Sequence, residues 1–131
     1  HLEAFLAGNL ARVRTWLAAS RLATAGPAFG IFHGAVNEDS DGPVEVCVPL
    51  TAEPGTVPPT GMSIRILPAA RAACVTLSGD QADFPEVLKG YDAASGWIEK
   101  NAFRMAGPPR EVWPDDPGPG QPLEIQWEFV S

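Results

Sequence analysis

The sequence repeats itself at an interval of 81 residues, and that repeat constrains the fold more than any other feature. Trp16-Leu17 recurs as Trp97-Ile98, and Ala25-Gly26-Pro27 recurs as Ala106-Gly107-Pro108. At the same interval Leu22, Ile31 and Phe32 fall on Phe103, Val112 and Trp113. Further on, Val44-Glu45-Val46 matches Leu123-Glu124-Ile125 at an interval of 79, so the second copy has a loop two residues shorter. Ordered matches of this length mark a duplicated structural unit, and both copies are expected to fold alike.

Each copy has the same order of signals. In the first, Leu2, Phe5, Leu6, Leu10, Val13 and Leu17 form one stripe at helical spacing, predicting a helix from about Leu2 to Ser20. In the second, Val87, Tyr91, Ala94, Ile98 and Ala102 predict a helix from about Pro85 to Asn101. Asp83 is positioned to cap it, with Pro85 in the first turn and Glu86 three residues after the cap. Gly90 and Gly96 weaken that helix by about 1 kcal/mol each, unless something approaches the backbone there. A Gly-Pro break then leads into a strand, Ala28 to Ala35 and Arg110 to Trp113. Polar or proline-rich loops follow, Asn37 to Pro43 and Pro114 to Pro122. Alternating strands close the units, Val44 to Val48 and Leu123 to Val130. Before the second helix, Ser63 to Leu67 and Ala72 to Leu77 are β-rich, with Pro68 at a bulge or edge. The counterpart of this region falls before His1, so the first copy is expected to lack its opening strand here and the native chain to extend upstream.

The expected architecture is α+β: two pseudo-symmetric strand-helix-strand-strand modules with antiparallel sheets and a central ligand groove. One domain covers residues 1–131, with module one at 1–50, a Pro/Gly-rich linker at 51–61 and module two at 62–131.

Strand alternation sorts the side chains. Val44, Val46 and Val48 share a face with Leu123, Ile125, Trp127 and Phe129, and Ile31 and Val112 are expected beside them under the helices. The opposite face is expected to carry Phe32, Glu45, Cys47, Glu111, Trp113, Glu124 and Gln126. Carboxylates among aromatic rings suit a planar cation, at about 0.5–2 kcal/mol per ring contact. The plainer reading makes Glu45 and Glu124 the solvated side of an antiparallel sheet. Glu111, directly after Pro108-Pro109-Arg110 and two residues from Trp113, reads more readily as a site residue. Trp16 and Trp97 read first as helix packing, Tyr91 as core packing or a pocket hydroxyl, and His33 as structural. Trp97, Tyr91, Glu45, Glu124 and Phe32 join Glu111 and Trp113 as the candidate ligand-binding set.

Other chemistry finds little support. The acidic stretch Asn37 to Asp41 lacks calcium-loop spacing, no Cys/His cluster has zinc spacing, and no nucleophile elbow or phosphate loop occurs. No metal or cofactor is expected. Cys47 and Cys74 read as small buried or half-buried thiols. The formal net charge of −7 argues against binding a phosphate backbone and favours cationic partners. No apolar run is long enough to span a membrane, and His1 to Ala7 has no signal-peptide character, so a cytoplasmic setting is expected. His1 reads equally as a native residue or a tag remnant.

The chain resembles the GyrI-like small-molecule-binding, or effector-binding, domain, found alone or at the C-terminus of MerR-type and AraC-type transcription regulators. The likeness rests on Ala25 to Gly34 (Ala-Gly-Pro-Ala-Phe-Gly-Ile-Phe-His-Gly) and Val44 to Pro49 in the first half. It is stronger in the second half, in Tyr91-Asp-Ala, Trp97-Ile-Glu-Lys-Asn, Ala106-Gly-Pro-Pro-Arg-Glu-Val-Trp113 and Leu123 to Trp127. The resemblance implies a groove between two modules, lined by aromatics and centred on a glutamate, here Glu111. It also implies a ligand that is hydrophobic, aromatic and cationic, sensed on behalf of a bacterial regulator or multidrug-binding protein. Trp113 stands where the family has a tyrosine after Glu-Val, which removes a phenol donor. Two other activities fit the resemblance: hydrolysis of cyclopropane-containing natural products, with Glu111 as base and Tyr91 as proton donor, and inhibition of a topoisomerase. Neither nucleic acid nor membrane is expected to touch this chain, and oligomerisation through an upstream region is left open.

Overall fold

The computed structural model describes residues 2–34, 44–52 and 55–131. The expected loop Asn37 to Pro43 and part of the linker lie outside the described residues. Helix α1 spans Leu2–Ala19, β1 Ala28–Phe32, β2 Val44–Cys47 and β3 Arg71–Leu77. Helix α2 spans Val87–Lys100, β4 Arg104–Met105, β5 Arg110–Trp113 and β6 Leu123–Val130. The six strands form one antiparallel sheet in the order β2-β1-β5-β6-β3, with β4 also pairing with β6. This is an α+β fold with β2 and β3 at its two edges.

The 81-residue interval is also present in the backbone bonding. Each helix ends on a non-glycine residue in the left-handed region, Arg21 (φ 55°) and Ala102 (φ 60°). Each end is closed by an amide reaching back five residues, Leu22 to the Leu17 carbonyl (2.9 Å) and Phe103 to the Ile98 carbonyl (3.0 Å). That is the C-terminal bonding that satisfies a helix's last carbonyls. The isolated bridge Thr24–Leu50 recurs as the Met105–Phe129 pairing of β4 with β6. Sequence reading had missed β4, which is only two residues long.

Three boundaries differ from expectation. Ser63 to Leu67 is not a strand; its Arg65 instead pairs with Glu45 of β2, and the residues lie along an open cleft. Asp83 does not cap α2. Its carboxylate accepts from the Gly120 amide at 2.8 Å, tying the turn before α2 to the loop before β6. The helix begins at Val87 with Glu86 as its cap residue and no side-chain cap bond. The first strand stops at Phe32, short of Ala35.

Both helices lie on one face of the sheet. The core joins Leu6 and Leu10 of α1, Val87, Ala94 and Ile98 of α2, and Phe32, Trp113, Leu123, Ile125 and Phe129 of the sheet. Ile98 and Ile125 are fully enclosed, and burial of such side chains contributes about 1.5–3 kcal/mol each. Helix α1 packs toward β2, and α2 toward β3 and β6. The central pair β1–β5 is therefore the floor of the strip between the helices.

The two helix glycines have opposite meanings. A Cβ on Gly90 would lie 2.7 Å from Leu77 Cδ1 and 2.8 Å from Ile125 Cδ1, so its absence lets α2 seat closely on the sheet. Gly96 has nothing within 4 Å. Gly90→Ala is expected to destabilise by about 1–3 kcal/mol through overpacking. Gly96→Ala is expected to stabilise by about 1 kcal/mol through helix propensity. Urea denaturation of both variants checks this; equal effects at the two positions would contradict it.

Candidate functional site

Register decides which side chains meet. Glu111 of β5 stands opposite Gly30 of β1 on one side and Ile125 of β6 on the other. Residues directly opposite in an antiparallel pair project to the same face. Ile125 lies beneath α2, so Glu111 lies on the helix-covered face, together with Gly30, Val46, Phe32 and Trp113. Ile31, Val112, Glu45, Cys47, Glu124 and Gln126 project to the other face. The expected assignment is thus inverted for β1 and β5. Alternation read by polarity places a glutamate outside and an isoleucine or valine inside, whereas the sheet does the reverse.

The partly buried Glu111 carboxylate is held by two neutral donors. The Tyr91 hydroxyl donates to Oε2, and the Trp113 indole Nε1–H donates to Oε1 at 3.3 Å. Tyr91 reaches it from α2, with its ring edge-on to Trp127 at a centroid distance of 6.3 Å. Trp127 is itself fixed by its Nε1–H donating to the Gly107 carbonyl at 3.2 Å. Trp127 was placed with the core by sequence reading, yet with Tyr91 it forms the aromatic wall beside Glu111. Its alternation with Ile125 was the available signal, and only the inverted position of Glu111 obscured it.

Five cations among the described residues are engaged elsewhere. Arg110, next to Glu111 in sequence, points to the opposite face, where it pairs with Glu128 and lies 5.9 Å from the Phe29 ring centroid. Arg14 pairs with Asp116 at 2.7 Å, tying α1 to the turn after β5. Arg71 stacks over Phe129 and Phe103, Arg65 pairs with Glu45, and Lys89 pairs with Glu86. Burial accordingly raises the Glu111 carboxyl above its ordinary value, and the bonds from Tyr91 and Trp113 only partly oppose this. The same burial, and then the neighbouring Glu111, drive the Tyr91 phenol upward, so it stays protonated as a donor.

The remaining expected site residues separate from this centre. Trp113 and Phe32 lie on the right face, but at 2% and 5% exposed neither ring offers a surface for stacking. Glu45 is on the outer face, paired with His33 and Arg65. Glu124 is also on the outer face, accepting from Gln126 at 2.6 Å. Trp97 is 46% exposed and packs on Phe103 and Phe129 at 5.9 and 5.5 Å, away from Glu111. A cleft of about 770 Å³ runs between α1, β2 and residues 61–67, lined by Phe5, Trp16, Val44 and Ile64, and does not include Glu111.

Both thiols are free, and Cys74 is exposed rather than buried. Burial, and then Glu45, push the Cys47 thiol up to about 11, which leaves it a poor nucleophile.

Compared with known proteins, the chain matches the GyrI-like small molecule binding domain over residues 2–127. It belongs to that family. The GyrI-like fold is also found in a solved structure, the cryo-EM structure of the EcmrR–DNA complex in EcmrR-RPo, with a TM-score of 0.73 at 17% identity. The alignment covers 92% of this chain and 46% of the EcmrR chain, so this chain spans under half of that protein's length. No curated protein sequence matches it. This GyrI-like chain is therefore a small-molecule-binding domain, and no helix among its described residues is long and apolar enough to cross a membrane.

The raised Glu111 carboxyl sets the sign of one pH effect. Below about 4.5, its ordinary value, the group is protonated folded and unfolded, and its burial carries no charge penalty. As pH rises through the higher folded value, the folded state must ionise a poorly solvated group, and stability is lost. The urea midpoint of the wild-type protein is expected to fall relative to Glu111→Gln as pH rises above 4.5. A difference that grows in the opposite direction would contradict the assignment.

Proposed function

We propose that this domain binds a flat, aromatic, cationic small molecule in the strip between its helices, with Glu111 as the counter-charge. The single observation that carries the reading is a carboxylate on the covered face held, among the described residues, only by the neutral donors Tyr91 and Trp113. A carboxylate desolvated without a cation is costly, and a bound cation relieves that cost. Tyr91 and Trp127 supply the ring surfaces, in place of the enclosed Trp113 and Phe32. Likeness to EcmrR, solved on DNA, supports a role as the effector-sensing part of a transcription regulator. The net charge of −7 opposes contact between this domain and a phosphate backbone, which leaves DNA binding to another part of such a protein.

The test is a titration with N-methyl-4-phenylpyridinium, a planar cation, followed by quenching of tryptophan fluorescence. Glu111→Gln is expected to weaken binding at least about tenfold, or about 1.4 kcal/mol, while the neutral isostere 4-methylbiphenyl binds both proteins alike. Wild-type affinity for the cation is expected to rise with pH as Glu111 ionises and then level off, and the variant to show no such rise. Equal cation affinity in the two proteins at high pH would refute the reading.

A further inference from the structure

The inference rests on the proposed role of Glu111 and concerns which cations it accepts. Opposite Glu111 across the β1–β5 pair stands Gly30. A Cβ built on Gly30 would lie 2.6 Å from Trp113 Cη2 and 2.9 Å from Cζ2. The benzo edge of the Trp113 indole therefore occupies the space that a side chain at residue 30 would take, while its Nε1–H reaches Glu111 Oε1. Tyr91 takes the other oxygen, Oε2. Each carboxylate oxygen is thus engaged by a fixed donor. An amidinium or guanidinium gains most from a carboxylate by donating to both oxygens in the carboxylate plane. Here Tyr91 and Trp113 already take one of the two acceptor positions on each oxygen, so it competes with them for room at both. A cation without N–H donors needs only the charge and a ring surface, and loses nothing to that competition.

We propose that Gly30 and Trp113 are specificity-determining residues that, with Tyr91, occupy both oxygens of Glu111 and so select planar cations lacking N–H donors over bidentate N–H donors. Gly30 acts through Trp113 and is a positioning residue. Such selectivity depends on which ligand leaves a buried polar group unpaired, not on the strength of the charge.

The experiment compares two planar cations of similar size, N-methyl-4-phenylpyridinium and 4-phenylbenzamidinium, on four proteins: wild type, Glu111→Gln, Trp113→Phe and Gly30→Ala. Wild type is expected to favour the pyridinium about tenfold, and both Trp113→Phe and Gly30→Ala to narrow or reverse that preference by freeing Oε1. Wild-type preference for the amidinium would overturn the proposal without any variant having to fold. Unchanged preference in a folded Gly30→Ala or Trp113→Phe protein would also overturn it. Glu111→Gln tests the underlying reading separately. If it binds both cations as tightly as wild type, the role of Glu111 fails. If it weakens both while the other variants keep the wild-type preference, only the role of Gly30 and Trp113 fails. A structural role for Trp113 alone would leave its indole Nε1–H resonance indifferent to Glu111→Gln. The proposal expects that resonance to move upfield when the acceptor's charge is removed.

Discussion

A carboxylate on the covered face of a sheet, bonded to two neutral donors and, among the described residues, to no cation, is the interaction around which this domain is organised. Glu111 lies between Gly30 and Ile125 on strands whose other inward residues are apolar. A hydrocarbon side chain at this position would join the core at no electrostatic cost, whereas a carboxyl raises its own proton affinity there. The surroundings moderate the cost without removing it. Hydrogen bonds from a phenol and an indole solvate charge but do not neutralise it. The arrangement leaves a buried carboxyl with no counter-charge among the described residues, which is the basis of the proposed cationic ligand.

Each supporting element follows from a local constraint. Helix α2 can bring Tyr91 down to Glu111 because Gly90, one residue earlier, lets the helix approach Leu77 and Ile125. Trp113 can aim its indole because Gly30 has no side chain. Arg110, the nearest cation in sequence, is turned to the opposite face by strand alternation, where Glu128 and Phe29 hold it. The bond between Arg14 and Asp116 links the first helix to the turn after β5, though exposed pairs of this kind are worth only about 0.2–1 kcal/mol.

Much of this was legible in the sequence, and the failures have a common cause. Helical spacing gave the stripes of both helices, and the turn signals gave the bounds of Arg110–Trp113 and Leu123–Val130. The bonds closing both helix ends carry the interval of the sequence repeat. Glu111 stood out by following Pro108-Pro109-Arg110 and lying two residues from Trp113, and Tyr91 by its hydroxyl on an otherwise apolar stripe. What alternation could not supply was the phase of β1 and β5, since phase was inferred from polarity and Glu111 breaks that rule. Placing Ile31 and Val112 inside put Glu45 and Glu124 beside Glu111, whereas register puts them on the far side. Asp83 failed as a cap for a tertiary reason, being drawn to the Gly120 amide, and no local pattern encodes that contact.

The most direct test is to follow the Glu111 side-chain carboxyl by carbon-13 NMR through a pH titration, with and without saturating N-methyl-4-phenylpyridinium. The account predicts a midpoint above the ordinary 4.5 in the free protein and a clear fall when the cation is bound. A midpoint at or below 4.5 that the cation leaves in place would contradict it.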